Sequence, residues 1–376
     1  MTRDKLRALD LFAGVGGFRA GALMTGLPIE FVAFGENDVY PSIGYYAMFG
    51  EDESNLGDIK AITRVADEEF SSGFLKPKRG RTMKIRAKIP DHDLLLAGFP
   101  CQAFSKMGAE GGVNDALGRG DLLFDLVEIL RVKRPEYFVF ENVDGFATHE
   151  DGTLLKKTLD WIGKKIGYST AAWRLNAADY ETVQTRNRVF IVGRLGRRHN
   201  LSKPKPKPLS GYAGCVHSIL DKTVEDKYYL SDKILPTILS NGTGGWKAKA
   251  EINMSPARPL CKTMHKMHRA SQDNYYSDDY ITGTWDESTE SIHLANVPNR
   301  IRKITPNEAF RIQGFKQDLI DKLITSGLSD TRLYMAAGNA VPPPLVKNVL
   351  DSLLFEKSQH ITLQQNPLTV QPNITN

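Results

Sequence analysis

"LDLFAGVGGFRAG", residues 9–21, joins a short apolar segment to a glycine-rich turn and then to a segment with helical spacing. It has the outline of a nucleotide-binding turn, but after Gly14 and Gly16 the third position of the G-x-G-x-x-G spacing is Arg19. A small residue there would let the helix pack closely beside a pyrophosphate. The turn therefore indicates either another adenosine-containing ligand, whose ribose hydroxyls could donate to Glu36 of the next strand, or a purely structural turn.

Outward from this unit, apolar segments alternate with helical ones through the first half of the chain. Strands are predicted at 6–12, 30–36, 93–99, 136–141 and 188–194, and helices at 17–26, 40–49, 120–133 and 151–166. This alternation predicts an α/β fold with a doubly wound, mostly parallel sheet that binds ligands at the carboxyl ends of its strands. Asp58, in "GDI", would suit a third strand end, near an adenine amino group.

The alternating Lys-Pro segment at 202–211 marks a domain boundary, because it can continue neither a helix nor a strand. Residues 1–200, completed by 330–358, are predicted to form the first domain, and 201–300 a second, smaller and irregular domain. Residues 301–329 would be a hinge and closing helix, with Thr305 as N-cap, Pro306 at the first helical position and Glu308 three residues after the cap. An amphipathic helix is predicted within 341–356 and a disordered tail at 359–376.

The composition is that of an ordinary globular protein, with 376 residues, 41% hydrophobic and 25% charged. No apolar run reaches the length of a membrane span and the N-terminus lacks the pattern of a signal peptide, so no membrane partner is expected. Three widely spaced cysteines argue against a disulfide framework and fit a reducing cytoplasm. The net charge of +5 is mild, but basic residues cluster at 76–88 and 247–269, which indicates either phosphate contacts or solvated faces.

"GFPCQAFS", residues 98–105, places Cys101 directly after a predicted buried strand. Residues 106–120 are too rich in glycine for a regular element and indicate a mobile loop. The cysteine is therefore either a nucleophile at the carboxyl edge of the sheet or a buried structural side chain.

Three other segments carry polar residues that could act with this cysteine. Glu141, in "FENV", would lie beside it if the two strands are neighbours, and is otherwise a helix cap or an ion-pair partner. Arg186 and Arg188, in "QTRNRVFIVG", stand at strand spacing and suggest a bound anion or carbonyl, or else a solvated edge. "GNAVPPPL" places Asn339 beside a rigid turn.

The second basic cluster contains side chains of the kind that bind zinc. Cys261, His265 and His268 could supply three zinc ligands, but no fourth ligand is evident and their spacing fits no common zinc finger. No metal is therefore predicted, and these residues are interpreted as part of a basic surface.

Six segments, in this order, resemble the signatures of the C5-cytosine DNA methyltransferase family. They are "DLFAGVGG", "GFPCQAFS", "ENV", "QTRNRVFIVG", "RKITPNEAFRIQGF" and "GNAVPPPL", and they extend from residue 9 to about residue 350. The resemblance implies an S-adenosylmethionine-dependent methyltransferase fold with a target-recognition domain at 201–300. It implies an enzyme like the bacterial type II modification methylases, which methylates C5 of a flipped-out cytosine in a specific duplex sequence.

The resemblance also assigns roles in the reaction. Cys101 would add to cytosine C6, Glu141 would bind the N3 and N4 edge, and Arg188 would hold O2. Arg186 would support the cysteine loop or a phosphate, and the loop at 106–120 would close over the flipped nucleotide.

The residues that the family pattern implies around S-adenosylmethionine are Phe12, Val15, Gly17, Glu36, Asn37, Asp58, Ile59, Pro100, Leu122, Asn339 and Val341. One departure is Asn37-Asp38, where relatives often carry a tryptophan that stacks on the adenine. Another is the insertion around 76–88, which is either an extra contact with the DNA backbone or a solvated loop.

The expected partners are double-stranded DNA and a cognate restriction endonuclease acting on the same site, and the protein is expected to be cytoplasmic and monomeric. Candidate DNA contacts are Gln102, Ser105, Arg119, Arg258, Lys262, His265, Lys266, His268 and Arg269. One alternative is a transfer-RNA cytosine-5 methyltransferase, whose usual Cys-Phe-Thr signature this chain lacks. Another is a catalytically inactive DNA-binding homologue, which would not need the cysteine.

Overall fold

The computed structural model describes residues 5–64, 79–100, 122–197, 199–201, 205–209, 215–242, 247–286, 291–292 and 300–355. Its largest sheet has six strands: β1 (Leu6–Leu11), β2 (Ile29–Gly35), β3 (Leu94–Gly98), β4 (Tyr137–Val143), β5 (Tyr168–Asn176) and β6 (Asn187–Leu195). Their order across the sheet is β2-β1-β3-β4-β6-β5. The predicted α/β fold is confirmed.

The sheet is mixed rather than wholly parallel. Strands β1 to β4 are parallel to one another, whereas β6 is antiparallel to both β4 and β5. The strand predicted at 188–194 is therefore present in the reverse direction. Strand β5 was not predicted, because "YSTAAWRLN" has few large apolar residues, as befits a strand at the edge of the sheet.

Helices cover both faces of the sheet. Alternate residues of β1 point to opposite faces, so that Leu9 and Leu11 pack in one core while Leu6 and Ala8 pack in the other. The core with Leu6 is covered by α1 (Gly17–Met24) and α13 (Pro343–Leu353). The core with Leu9 is covered by α3 (Lys60–Thr63), α4 (Arg79–Lys88), α5 (Leu122–Lys133), α6 (Asp144–Thr148) and α7 (Thr153–Trp161).

Residues 215–303 contain little regular structure where they are described. Strand β7 (Tyr275–Ser277) pairs with β10 (Ile301–Lys303), and β8 (Trp285–Asp286) pairs with β9 (Ser291–Ile292). The helices α8 (Leu235–Ile238) and α9 (Asp278–Thr282) are about one turn long. This region shares a core with α2 (Val39–Phe49), α10 (Pro306–Gln313), α11 (Gln317–Ile324) and α12 (Asp330–Asn339).

Helix α10 begins with the capping box that the sequence predicts. Thr305 Oγ1 accepts from the Glu308 N–H at 3.2 Å, and Glu308 Oε2 accepts from the Thr305 N–H at 2.7 Å. The Glu308 carboxylate also accepts two bonds from the buried guanidinium of Arg302, at 2.7 and 2.8 Å, and one from the Asp221 N–H at 2.7 Å. Glu308 thus ties α10 to β10 and to the segment around residue 221.

The two unusual basic segments each have a described part. Within the basic run, residues 79–88 form α4. Its Arg81 is buried, and Arg81 Nη1 lies 3.6 Å from Glu128 Oε2. Residues 205–209 of the Lys-Pro segment have no regular structure. They are attached to residues near β5 by a hydrogen bond from Tyr180 Oη to the Pro206 carbonyl. The tail predicted at 359–376 lies outside the described residues. In the described ranges, each helix is too short or too polar to cross a bilayer.

Candidate active site

The glycine turn and Glu36 meet at the carboxyl ends of β1 and β2. The Gly14 N–H donates to Glu36 Oε2 at 2.9 Å, and the Asp38 N–H donates to Oε1 at 2.8 Å. Burial raises the pKa of the Glu36 carboxyl, and these backbone donors act in the opposite direction. Phe12 has φ 55° and Gly14 has φ 56°, and no atom lies within 4 Å of where a Cβ on Gly14 would be. An acid beside an open glycine turn fits the adenosine part of S-adenosylmethionine.

Two further glycines allow α1 to approach its neighbours closely. A Cβ on Gly17 would lie 2.5 Å from the Val341 carbonyl oxygen, and one on Gly16 would lie 2.4 Å from a ring carbon of Phe49. Arg19, at the third fingerprint position, pairs with Glu53 at 2.6 Å. The close packing that the fingerprint assigns to its last glycine therefore occurs here at Gly16 and Gly17.

The other predicted cofactor residues lie along the same edge. Ile59 is buried, with its Cγ2 3.4 Å from the position of a Cβ on Gly35, and Asp58 Oδ1 accepts from the Lys60 N–H at 2.9 Å. Exposed Asn37 follows β2, exposed Pro100 follows β3, and half-buried Leu122 begins α5. Exposed Asn339 ends α12, and buried Val341 lies just before α13. Val15, in the glycine turn, is buried.

Glu141 and Arg188 form an ion pair beside the carboxyl end of β3. Arg188 Nε lies 2.7 Å from Glu141 Oε1, and the two side chains are 14% and 12% exposed. Glu141 is in register with Gly98 of the neighbouring strand, and its Oε2 lies 3.6 Å from where a Cβ on Gly98 would be. The carboxylate is thus beside the strand that leads into Cys101, although Cys101 lies outside the described residues.

Arg186 is buried and binds backbone rather than a carboxylate. Its guanidinium donates to the carbonyls of Leu260 at 2.6 Å, Gly338 at 2.9 Å and Ala340 at 3.1 Å. Burial, and then the charge of Arg188, lower the pKa of Arg186 to about 9. Its three partners connect the segment around residue 260 to the end of α12, beside two of the predicted cofactor residues.

The predicted DNA contacts divide into outward and inward side chains. Lys262 and Lys266 are exposed, and His265 Nδ1 lies 3.0 Å from the Lys262 carbonyl. Arg258 and Arg269 have partners within the protein: Arg258 Nε donates to the Ala270 carbonyl, and Arg269 Nε donates to Ser240 Oγ. Gln102, Ser105 and Arg119, and the loop predicted at 106–120, lie outside the described residues.

Asp273, rather than His265, joins Cys261 and His268. One ligand atom from each of these three residues lies within 4.8 Å of the others. Asp273 Oδ2 accepts from the His268 N–H at 2.8 Å and is 3.0 Å from His268 Nδ1, while Cys261 Sγ is 3.9 Å from Asp273 Oδ1. Hydrogen bonds account for this cluster, and the absence of a metal stays a prediction.

A model of the C-5 cytosine-specific DNA methylases matches residues 6–354. The chain belongs to this family. It is a C5-cytosine DNA methyltransferase, and the fold, enzyme class and function that the sequence predicted are confirmed.

Relatives match this methylase over nearly its whole length. It is 32% identical to the type II methyltransferase M1.ScrFI of Lactococcus lactis subsp. cremoris, covering 94% of this chain and 80% of that protein. It is 31% identical to M.HpaII of Haemophilus parainfluenzae, covering 93% and 91%, and 31% identical to M.NlaX of Neisseria lactamica, covering 92% and 96%.

Solved structures share the fold at lower identity. The Dnmt2 methyltransferase of S. pombe aligns with a TM-score of 0.65 and 16% identity over 94% of this chain and 99% of that one. The Entamoeba histolytica methyltransferase EhMeth aligns with a TM-score of 0.67 and 16% identity, with the same coverage. At this identity the likeness concerns the fold alone.

Two polar side chains of this methylase were not singled out from the sequence. Asn142, 2% exposed, donates from Nδ2 to the Phe99 carbonyl at 3.0 Å, two residues before Cys101. Gln184, fully buried, donates to the Ile312 carbonyl and to Gln313 Oε1. The only sequence signal for either was its place inside "ENV" or "QTRNR".

Proposed function

We propose that the enzyme methylates C5 of a flipped-out cytosine in one duplex sequence through a covalent bond between Cys101 and C6. The Cys101 thiolate adds to C6 and makes C5 nucleophilic; once C5 carries the methyl group, loss of the C5 proton expels the thiolate. Inside a stacked duplex the thiolate could not reach C6, so the base must leave the helix. The position of Glu141 and Arg188, beside the strand that enters Cys101, carries the proposal.

The Glu141–Arg188 pair matches the polar edge of cytosine. A carboxylate accepts from the N4 amino group and from a protonated N3, and a guanidinium donates to O2. In the free protein the two charges, 2.7 Å apart and mostly buried, compensate each other. An arriving base replaces part of this interaction, so neither charge is left buried without a partner.

The residues that would hold S-adenosylmethionine are the eleven predicted along the carboxyl edge, from Phe12 to Val341. When bound there, the cofactor supplies the methyl group. Glu36 would accept from ribose hydroxyls, and the turn at Gly14 leaves space in front of its backbone. Val341 would border the site where α1 comes close to the chain entering α13.

Residues 201–300 would form the target-recognition domain, with Lys262, His265 and Lys266 nearest to the DNA. The names of the relatives support assigning the enzyme to a restriction-modification system, with a cognate endonuclease that cuts the same site. We propose that it acts as a monomer in the cytoplasm. Bisulfite sequencing would identify the methylated site. The partnership is then tested by asking whether methylation prevents a cognate endonuclease from cutting that site.

Covalent trapping tests the chemistry. The protein and its Cys101→Ser variant are mixed with S-adenosylmethionine and duplex DNA carrying 5-fluorocytosine, whose fluorine cannot leave as a proton does. We expect a heat-stable protein–DNA adduct that requires the cofactor and disappears in the variant. An adduct with transfer RNA instead of DNA would support the transfer-RNA alternative, and DNA binding without any adduct would support the inactive homologue.

A further inference from the structure

Residues 261–269 form a compact tip within the proposed recognition domain. The Met264 N–H donates to the Cys261 carbonyl and the Lys266 N–H to the Thr263 carbonyl, which closes a 3₁₀ turn over Met264–Lys266. Met264 is buried in the shared core. The tip is therefore anchored from within while its other side faces solvent.

Met267 has two properties at this tip that rarely occur together. Its φ is 53°, a left-handed conformation that residues other than glycine and asparagine seldom adopt. The residue is also 37% exposed, although methionine is apolar. Strained backbone conformations persist where the surroundings enforce them, and they cluster at sites that contact ligands.

The surroundings of Met267 enforce this conformation from both sides. Its own N–H donates to the Met264 carbonyl. The next residue, His268, is fixed by Asp273, which accepts from its N–H at 2.8 Å, and by Tyr275, whose Oη donates to its carbonyl at 2.6 Å. Met267 is thus presented to solvent by a preorganised turn.

The base of the tip is attached to the catalytic region. A Cβ on Gly338 would lie 2.2 Å from the Cys261 carbonyl carbon, and Arg186 donates to the Leu260 carbonyl. Lys262 and Lys266, both exposed, belong to the same tip, and Lys266 directly precedes Met267. Lysines of this kind contact phosphates and fix the position of a protein on DNA, but they carry little sequence information. The exposed apolar side chain that follows Lys266 is suited to reading a base edge.

We propose that Met267 reads one base pair of the target by apolar contact in the major groove with the C5 edge of a pyrimidine, most strongly a thymine methyl group. The thymine methyl is the apolar feature that distinguishes base pairs in that groove. This inference rests on the proposed DNA-recognition role of residues 201–300. Lysines 262 and 266 would supply affinity, and Met267 would supply discrimination at one position.

The test compares Met267→Ala and Met267→Leu with wild type and with a control, Leu23→Ala. Leu23 is an exposed apolar residue on α1, 55% exposed, outside the tip and outside both basic segments. Each protein methylates a random-sequence duplex library, and bisulfite sequencing gives its target motif. We expect Met267→Ala to lower kcat/KM on the wild-type site by about 5- to 100-fold and to relax one position of the motif. Met267→Leu should retain most of the discrimination, and Leu23→Ala should match wild type.

Deoxyuridine substitution tests the methyl contact itself. Replacing thymine by deoxyuridine at the affected position should slow the wild type and leave Met267→Ala unchanged. Met267→Gly should unfold at a temperature no lower than wild type, because glycine adopts φ 53° without strain. An unchanged motif and rate in Met267→Ala, or a large loss of thermal stability in Met267→Gly, would overturn the inference. A wild type that methylates no DNA would instead refute the proposed function.

Discussion

Replacing Glu308 by Gln should destabilise the fold more than any exposed charge substitution. Glu308 is fully buried, and its carboxylate binds Arg302 through two bonds as well as the N–H groups of Asp221 and Thr305. Glutamine preserves the shape but leaves the Arg302 guanidinium as a buried charge without a counterion. Removing one partner of such a pair costs about 3–5 kcal/mol in free energy of unfolding.

That free energy corresponds to a measurable change in melting temperature. An unfolding entropy of about 2.1 cal/mol/K per residue gives about 0.8 kcal/mol/K for the 376-residue chain. A loss of about 4 kcal/mol therefore lowers Tm by about 5 °C. Differential scanning calorimetry, with urea titration at 25 °C, measures both quantities.

Two further variants make the test specific to the pair. Glu30→Gln is the control, because Glu30 is 55% exposed and lies 3.9 Å from Lys5, which is 65% exposed, and such a pair contributes under about 1 kcal/mol. The double variant Glu308→Gln with Arg302→Met should recover part of the loss, because the unpaired charge is then absent. If Glu308→Gln melts within 1 °C of Glu30→Gln, with the assay resolving about 0.5 °C, the reasoning about the buried pair is wrong.

Three other predictions follow from buried groups. Burial lowers the pKa of His92 to about 4, so that as pH falls the unfolded chain takes up a proton on this imidazole before the folded protein does. The contribution of neutral His92 to the free energy of unfolding is fully present above about pH 6.5, and about 3 kcal/mol is lost as pH drops to 4. Urea titrations across this range measure the loss. Gly17→Ala should cost about 1–3 kcal/mol and weaken S-adenosylmethionine binding at least tenfold in calorimetric titration, because its Cβ would overlap Val341. Asn142→Ala should lower the methylation kcat by about tenfold, because the Phe99 carbonyl loses its donor, while cofactor Kd stays unchanged.

Each of the three has a control. His92→Leu should remove most of the extra pH dependence, and an unaltered slope would contradict the role of His92. Gly80→Ala, with nothing within 4 Å of the added Cβ in α4, should be neutral or stabilising. Asn348→Ala removes a similar bond, from Nδ2 to the Pro344 carbonyl, and should leave kcat unchanged; equal kcat losses in both asparagine variants would show a general stability effect.

Local sequence signals predicted the structure well where the deciding contacts are local. The cap of α10 is set by Thr305 and Glu308, three residues apart, and the glycine turn by residues 14–17. Strand β5 escaped prediction because edge position, rather than composition, determines it. The prediction of a mostly parallel sheet did not say which strand runs the other way, and only pairing across the sheet identifies β6 as that strand.

The order of the motifs predicted which segments form the candidate site, but it did not predict the hydrogen bonds between them. The Arg186 guanidinium binds carbonyls that are 74 to 154 residues away in the chain, and no spacing rule reports such contacts. The grouping of Cys261 with His268 and Asp273 depends on how the tip folds back, whereas closeness in the sequence grouped Cys261 and His268 with His265. The family resemblance located the segments, and the structure supplied their partners.

The packing of α1 against α13 also sets when this enzyme can become active during its synthesis. A Cβ on Gly21 would lie 2.6 Å from Val346, so the early helix is built to receive residues 343–353. At about 5–20 residues per second, some 320 residues separate the translation of these helices by about 16–64 s. Throughout this interval the apolar face of α1 lacks the helix that covers it in the folded protein. We therefore expect methylation to begin only after residues 343–353 have been translated.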